Sequence, residues 1–490
     1  MSITVHPDFG QIEILLRRCG VLDPDLPTTR IVTHGAVIYL NGDRAWKMKR
    51  PVRLRFFDFS TPDRRHDVLA RELELNRRFA PEVYRAVHAI RRDADGSLHL
   101  DGAGETVDWV LEMTRFDDDA LLVTRAEPGR LDDAFLRTLA ETVVDLHRDS
   151  PISDDPHGAD RLREVVDGNL ASMSAFPHIL DPDAAEHLTR RIGAMIDENA
   201  YLLDHRARTG RVRRVHGDLH LGNIAIIDDR PVPFDCLEFD EEMATTDVLY
   251  DLAFLVMDLW ARGLRHEANT VVNHYLDLSA DDEDAYRLLP IMLAIRATVR
   301  AHVNAAADNP AQARRYLALA EGFTNPTTPR LIAIGGGSGT GKTTAARAMG
   351  GDVDPAPGAR ILRTDVLRKR LAGVGMTERL PRSTYTSQAR AAVYEELNRL
   401  AGIDLAGGMS VIADAVFGSH AQQRAIADVA AESGVEFTGY WLELDEAERI
   451  SRIEHRGPDA SDADAAVARH QTGTLETPVD WIRGEWPESP

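Results

Sequence analysis

Lysine is nearly missing from this chain. Of its 57 basic residues only four are lysines: Lys47, Lys49, Lys342 and Lys369. Arginine supplies every other positive charge, so a position that keeps a compact ammonium invites a reason, because a planar guanidinium cannot replace it everywhere. Cysteine is as scarce. Cys19 and Cys236 are the only two, which excludes a disulfide framework and a cysteine metal site and fits a reducing cytosol. No run of about 18 apolar residues occurs, so no membrane-spanning helix is expected. The most apolar stretch, LYDLAFLVMDLW, is interrupted by two aspartates. The start, MSITVHPDFGQ, lacks the basic-then-apolar pattern of a secretory signal. Positive charge is in deficit, with a net charge of -22; residues 331–490 carry 17 basic against 23 acidic residues, a balance of -6, and the rest carries -16. Neither part has a basic footprint, so no nucleic-acid partner is expected.

What is present is an ordinary globular composition, 43% hydrophobic and 28% charged, over 490 residues, too long for one hydrophobic core. TNPTTPR, Thr324 to Arg330, is a Pro- and Thr-rich break and reads as a linker. Before it, residues 30–115 hold most of the strand-like segments, and AVIYLNGDRAWKMK alternates about Asn41-Gly42, a two-residue hairpin signal. Residues 130–320 are patterned as helices. After the linker, apolar strands (RLIAIGG, RILRTD, MSVIADA, TGYWLEL) alternate with helical segments, the pattern of a parallel α/β sheet. The expected division is a β-rich lobe over 1–115, a helical lobe over 116–323, the linker 324–330 and an α/β domain over 331–490.

Two stretches carry phosphate chemistry. In HGDLHLGN, Asp218 and Asn223 lie five residues apart on a loop, and Asp235 ends the apolar strand of PVPFDCLEFD. An acid that accepts a hydroxyl proton, an amide that binds metal and a second acid placed to bind magnesium follow the logic of a kinase catalytic loop. A lysine on a strand and a glutamate on a helix should lie upstream. Lys47 sits in the second hairpin arm, with Lys49 pointing the same way. The helix after Thr61 and Pro62 has an apolar stripe Val68, Leu75, Phe79 on which Glu72 falls, while Glu74 joins Arg71 and Arg78 on a charged face. A lone glutamate on an apolar face needs a partner, so Glu72 is expected to pair with Lys47. THGAV is the expected phosphate-covering turn, and EMTRF, Glu112 to Phe116, the expected hinge whose backbone meets adenine.

HGDLHLGN, FDCLEFD and DVLYDLAFL resemble the aminoglycoside phosphotransferase family of the protein-kinase-like superfamily, over roughly residues 30–320. The resemblance implies a bilobal α+β kinase-like fold with ATP and magnesium between the lobes, Asp218 as catalytic base, and Asn223 and Asp235 as metal ligands. It implies structural roles for Asp247 and Asp251. Gly217 stands where protein kinases have arginine, so control by a phosphorylated activation loop is not expected.

The second stretch, Gly336 to Thr343, fits G-x-x-x-x-G-K-[ST] in full, after the strand RLIAI and before the helix TTAARAM, the context that the motif requires. The loop Gly336, Gly337, Ser338, Gly339, Thr340, Gly341 would cradle phosphates, Lys342 would reach the terminal ones, Thr343 would bind magnesium, and Thr344 continues the phosphate-binding turn. Asp365 ends the next strand, where an acid can orient a substrate hydroxyl. Asp414 ends another and is a candidate magnesium or substrate acid, with Arg424 on the following helix. Arg449, Arg452 and Arg456 fall on one helical face. This part resembles small P-loop kinases such as gluconate kinase, chloramphenicol phosphotransferase and the zeta-toxin group. The resemblance implies an α/β P-loop NTPase domain with a parallel sheet, with Asp365 on the acceptor side and Arg452 or Arg456 as the lid residue. The combined expectation is a cytoplasmic bifunctional kinase using ATP and Mg2+ on small-molecule hydroxyl acceptors. The alternatives are a regulatory protein with one catalytic and one sensing site, and nucleic-acid end repair by the C-terminal part. Arg296 and Arg300, on one helical face near the linker, are candidates for docking the acidic C-terminal domain.

Overall fold

The computed structural model describes residues 9–18, 21–33, 35–53, 58–455, 457 and 459–485. Arg456 and His34 of the expected phosphate-covering turn lie outside the described residues. Contacts divide the chain into two compact units.

The first unit gathers the residues up to Ala126 with Leu146–Asp154 and Gly210–Asp251. Helix α1 (Phe9–Arg18) precedes β1 (Thr28–Val32), β2 (Ala36–Asn41) and β3 (Arg44–Lys49). Helix α2 (Pro62–Asn76) then leads to β4 (Tyr84–Arg92), β5 (Leu98–Leu100) and β6 (Glu105–Thr114). The six strands form one antiparallel sheet in the order β1-β2-β3-β6-β4-β5. Alternation along the strands sets its two faces. Val37, Tyr39, Trp46 and Met48 pack with Ile12, Leu15 and Leu16 of α1. Ala45 faces the other way, in a cluster with Leu69 of α2, so Lys47 and Lys49 share the α2 face. The hairpin turn sits one residue later than the Asn-Gly reading. Asn41 pairs with Arg44 within the ladder, and Gly42-Asp43 forms the loop, with Gly42 at φ 55°, a conformation glycine adopts at little cost. The Asn41 amide is buried and spent on the preceding segment, bonding both Asp23 N and Asp23 O. Helix α2 begins as its sequence dictates, with Thr61 accepting from Arg64 N and Pro62 in the first turn. Further on lie α3 (Leu122–Arg125), the antiparallel pair β7 (Val212–Arg214) with β10 (Thr245–Asp247), the hairpin β8 (Ile224–Ile227) with β9 (Arg230–Pro233), and α8 (Glu241–Ala244). HGDLHLGN spans the link from β7 to β8, and Asp235 follows β9.

The second unit comprises Glu127–Asp145, Asp155–Thr209 and Leu252–Pro490. It holds most of α4 (Asp133–Asp149), α5 (Gly158–Met173), α6 (Pro182–Glu198), α7 (Ala200–Arg208), most of α9 (Val248–Ala261), α10 (Arg265–Leu278), α11 (Leu289–Ala306) and α12 (Pro310–Phe323). After an irregular stretch come β11 (Arg330–Gly336), α13 (Lys342–Gly350), β12 (Arg360–Arg363), α14 (Thr364–Ala372), α15 (Ser387–Ala406), β13 (Val411–Asp414), α16 (His420–Ser433), β14 (Glu436–Leu442), α17 (Glu446–Glu454), α18 (Ala465–Gln471) and β15 (Ile482–Gly484). The five strands are parallel, in the order β12-β13-β11-β14-β15. Apolar clusters fill both faces, one around Leu331, Leu397, Val411 and Phe417, the other around Ile332, Ile334, Ala346 and Ile412.

The parallel sheet and the helices before it share this one unit, and the contact between them is polar and buried. On α10 the residues Asn269, Asn273 and Asp277 recur every four positions and so line one face. Asn269 Nδ2 donates to Pro357 O at 3.0 Å and Ala359 O at 2.9 Å. Asn273 donates to Ala359 O and accepts from Ile361 N at 2.7 Å and Arg360 Nη1 at 2.8 Å. Arg360, 0% exposed, also donates to Asp277 at 2.9 Å and to both carboxylate oxygens of Glu283 at 2.5 and 2.9 Å. Arg370 adds a second guanidinium to Glu283 at 2.6 Å, and Tyr286 Oη donates to Gly358 O. The arginines expected to dock this sheet do something else: Arg296 lies over Phe254 and Arg300 over Tyr316, inside the helical layer.

Burial acts to raise the Glu283 carboxyl, but Arg360 and then Arg370 outweigh it and hold it at about 2. Because the folded value is depressed, this stabilisation is present above the ordinary carboxylate range and is lost as pH falls towards 2. Asp404 runs the opposite way: burial and the Glu283 charge raise it well above its ordinary value. Removing one partner of a buried pair costs about 3–5 kcal/mol. Glu283→Gln is therefore expected to lower the unfolding free energy at pH 7 by an amount of that order, read as a lower urea midpoint, and to flatten the acid limb of stability between about pH 4 and 2. An unchanged midpoint with an unchanged acid limb contradicts this role.

Candidate active sites

In the first unit, charge converges on the α2 face of β3. Lys47 Nζ lies 2.7 Å from Glu72 Oε1 and 2.6 Å from Asp235 Oδ1. Lys49 Nζ lies 2.8 Å from Glu72 Oε2 and 2.5 Å from Glu238 Oε1. Glu72 thus bridges both lysines, and it sits on a buried stripe of α2 made of Arg65, Leu69, Glu72 and Leu75, turned slightly from the expected one, with Val68 only half-buried. Glu74 is exposed and pairs with Arg71. Burial alone would push the Lys47 ammonium down, but Asp235, Glu72 and Glu238 hold it well above its usual range. Burial also acts to raise Asp235, and Lys47 then draws it down to about 2. Asp235 takes a left-handed backbone, φ 58°, costly for a residue with a side chain. Two hydrogen bonds fix that geometry: Asp235 N donates to Tyr84 Oη, and Cys236 N to Asn76 Oδ1.

The loop between β7 and β8 brings Asp218 and Asn223 together, with Asn223 Nδ2 donating to Asp218 Oδ2 at 2.9 Å and to Asp218 O at 3.0 Å. His216 is buried, its Nδ1 accepting from Asp218 N and its Nε2 meeting Phe234 O at 3.0 Å; burial holds its pKa below the usual value. Gly217 has φ 83°, and a Cβ there would lie 3.0 Å from Leu237 Cβ, so a larger residue fits neither the backbone nor the space. Gly217 N donates to Asp251 Oδ1 at 2.8 Å, and Asp251 Oδ2 is 3.2 Å from His147 Nε2. Asp247 caps the start of α9 through Leu249 N. Of the expected hinge, Glu112 to Thr114 remain in β6, and Phe116 beyond it packs edge-on against Phe234 at 5.0 Å.

In the second unit, β11 runs into the glycine loop and then α13. Gly336, Gly339 and Gly341 all have positive φ. A Cβ at Gly336 would lie 2.4 Å from Leu442 O, and one at Gly339 would lie 2.5 Å from Arg449 O, so backbone packing excludes side chains there. Thr340 Oγ1 ties back to Gly337 O, Lys342 Nζ donates to Gly337 O at 2.8 Å, and Ser338 N donates to Gln471 at 2.7 Å. Thr343 Oγ1 donates to Asp414 Oδ2 at 2.6 Å. Burial raises the Asp414 carboxyl, against the pull of Lys342 and Arg363. Asp365 lies in the first turn of α14 and pairs with Arg368 at 2.5 Å. Ser338, Gly339, Gly341, Lys342, Thr343, Asp365 and Asp414 line a cavity of about 1410 Å3 that also takes in Thr344, Arg452 and Tyr385; Gly336, Gly337 and Thr340 lie outside its lining. Arg452 pairs with Glu448 at the cavity. Arg449 does not join Arg452 there: it is buried beneath the loop, bonded to Ala468 O and Thr472. Arg424 is exposed on α16. Lys369 is buried and grips Asp462 at 2.7 Å, while Arg363 holds Asp459, so two salt bridges fasten the segment after α17 to β12 and α14.

Sequence reasoning missed Glu238, Tyr84, Asn76 and Gln471. Glu238 had one available signal, since it follows Asp235 by three residues in a segment already singled out; the others act through contacts that no local pattern announces.

A kinase-like sheet with its acidic loop and a P-loop sheet thus share one chain, and that chain belongs to the phosphotransferase enzyme family, whose model matches residues 39–289, more than half of the length. A model described as an AAA domain matches residues 331–478. Uncharacterized proteins of Mycobacterium tuberculosis and Mycobacterium bovis are 30% identical over 467 residues, which cover 92% of this chain and 90% of theirs. Among solved structures, a choline/ethanolamine kinase family protein from Mesorhizobium loti is 15% identical with a TM-score of 0.41, covering 65% of this chain and 94% of that one. A gluconokinase from Sinorhizobium meliloti is 20% identical with a TM-score of 0.23, covering 32% of this chain and 82% of that one.

The Asp251 carboxylate serves two buried donors, so Asp251→Ala is expected to cost about 1–3 kcal/mol, read as a lowered unfolding midpoint. A midpoint equal to the wild type's contradicts its role in holding the loop.

Proposed function

We propose that this chain is an ATP- and Mg2+-dependent phosphotransferase with two transfer sites, each moving a γ-phosphoryl group to a hydroxyl of a small molecule in the cytoplasm. The observation that carries the first site is the meeting of Lys47 with both Glu72 and Asp235, 2.7 and 2.6 Å away. One buried ammonium is aimed by the helix glutamate and held against the acid next to which a nucleotide's metal belongs. Magnesium prefers one or two protein oxygens alongside phosphate oxygens and water. Asp235 with Asn223, and Thr343 with Asp414, are donor sets of that kind. Among the described residues no group of three or more His, Cys, Asp or Glu forms an all-protein metal cage. When bound, the ion neutralises charge on the phosphates.

The chain's own groups do the rest. Lys47 in the first site and Lys342 with the loop amides in the second hold the phosphates. Asp218 accepts the proton of the acceptor hydroxyl while that oxygen bonds to the γ-phosphorus and the bond to the β-phosphate oxygen breaks. Asn223, bonded to Asp218, fixes the carboxylate's direction. In the second site Asp365 stands on the acceptor side of the cavity, and Arg452 reaches the phosphates.

The experiment is ATP-dependent phosphorylation of a hydroxyl-metabolite library by the full chain. Asp218→Asn is expected to cut transfer at the first site by about 100-fold or more, with ATP affinity retained; Asp235→Asn is expected to weaken magnesium–ATP binding itself. Lys342→Ala is expected to abolish turnover at the second site alone. Wild-type transfer in Asp218→Asn overturns the first assignment. Production of ADP with no phosphorylated product from any hydroxyl compound favours the regulatory reading instead.

A further inference from the structure

Arg137 is 193 residues before the first strand of the parallel sheet and within the stretch matched by the phosphotransferase family, 39–289. It nonetheless lines the P-loop cavity with Lys342, Thr343, Arg347 and Arg452. The helix that carries it is fastened to the P-loop helix one turn earlier. Asp133 of α4 accepts a hydrogen bond from Arg347 of α13 and lies 3.9 Å from His274 Nε2. Arg137 follows Asp133 by four residues, so both share a helix face, and its Nη2 stands 3.8 Å from the same Asp133 oxygen that Arg347 occupies. The side chain is 28% exposed, and the residue forms part of the cavity wall.

Positive charge is in modest excess on the cavity wall, with six arginines and Lys342 against five aspartates. Arg347 is pushed below its usual range by burial and by Arg363; Asp133 and Asp459 oppose this, and Arg137 adds to it. Lys342 belongs to the same wall. Crowded cations against a buried wall lower their mutual cost by taking an anion. A guanidinium suits phosphate because it donates two parallel N–H bonds.

We propose that Arg137 is a residue of the P-loop site, placing its guanidinium on a phosphate oxygen of the substrates bound there, so that the site is completed from outside the P-loop domain. This rests on the P-loop reading above. The phosphate belongs either to the nucleotide in its ground state or to the group in transfer, and the two are separable by measurement.

The test uses the full chain carrying Asp218→Asn, so that ADP formation reports the P-loop site, together with calorimetric binding of magnesium–AMP-PNP. Arg137→Ala is expected to lose about 100-fold or more, in AMP-PNP affinity if the contact is to the nucleotide, or in ADP formation at unchanged affinity if it is to the group in transfer. Arg137→Lys should keep part of the function, and free guanidinium ion at non-denaturing concentration should restore part of the loss in Arg137→Ala. Arg130→Ala, which removes a surface guanidinium paired with Glu127, should leave both readouts unchanged. Affinity and ADP formation both within about threefold of wild type in Arg137→Ala overturn the proposal. So does a loss that guanidinium does not relieve and that follows a lowered urea midpoint, because Arg137 is then only structural. If Arg137→Ala does not fold, Arg137→Lys and Arg137→Gln decide by the same criteria. Loss of one of two AMP-PNP binding events in Lys342→Ala, with both events and ADP formation unchanged in Arg137→Ala, overturns this proposal alone; two binding events of unchanged affinity in Lys342→Ala overturn the P-loop reading with it.

Discussion

The second unit is organised around one buried guanidinium. Arg360 begins the strand beside β13 and is fully buried, yet Glu283, Asp277 and Asn273 satisfy its donors from positions 77 to 87 residues earlier in the chain. A charge removed from water is tolerated only when its partners are in place. The strand can therefore enter its place in the sheet only with α10 and the turn after it docked on it. The same docking puts Asn269 on Ala359 O and brings Gly350 and Gly358 so near Asn269 that a Cβ at either would overlap it. Breaking the contact exposes a network of charges and strand-end carbonyls together, which makes partial separation unfavourable.

The scarce lysines show what ammonium does here that guanidinium does not. All four lie in polar networks: Lys47 and Lys49 around Glu72, Lys342 on the glycine loop, and Lys369 on Asp462. Lys47, Lys49 and Lys369 each sit where a single point charge with three donors meets oxygens from more than one residue. A planar fork fits such a cage poorly.

How much was legible in the sequence follows from the range of each interaction. The bilobal and P-loop architectures, the Thr61 cap and the loop glycines depend on neighbours a few residues away, and pattern exposes them. The closeness of Lys47 to Glu72 was legible because burial of a lone glutamate on a helix face demands a cation. The hairpin turn shifted by one residue because the Asn41 amide is claimed by Asp23, a contact outside the alternation. The docking face was read from arginines near the linker, whereas the real one is the Asn269, Asn273, Asp277 row; amides every fourth residue look like a solvated face until strand-end carbonyls are set against them. Arg137 and Arg449 could not be placed by pattern, since both act across distances that only the folded chain closes.

The P-loop sheet and the helices before it fall in one compact unit, and the buried contact of Arg360 with Glu283, Asp277 and Asn273 should make that unit unfold as one body. Hydrogen exchange of the intact chain, followed residue by residue against urea, tests this most directly. Amides of α10 and of β11 and β13 are predicted to exchange through one shared opening, with the same free energy and the same urea dependence, and to gain protection together when magnesium–ATP binds. Exchange of α10 by an independent, lower-energy opening, while the sheet stays protected and alone responds to nucleotide, would contradict the account.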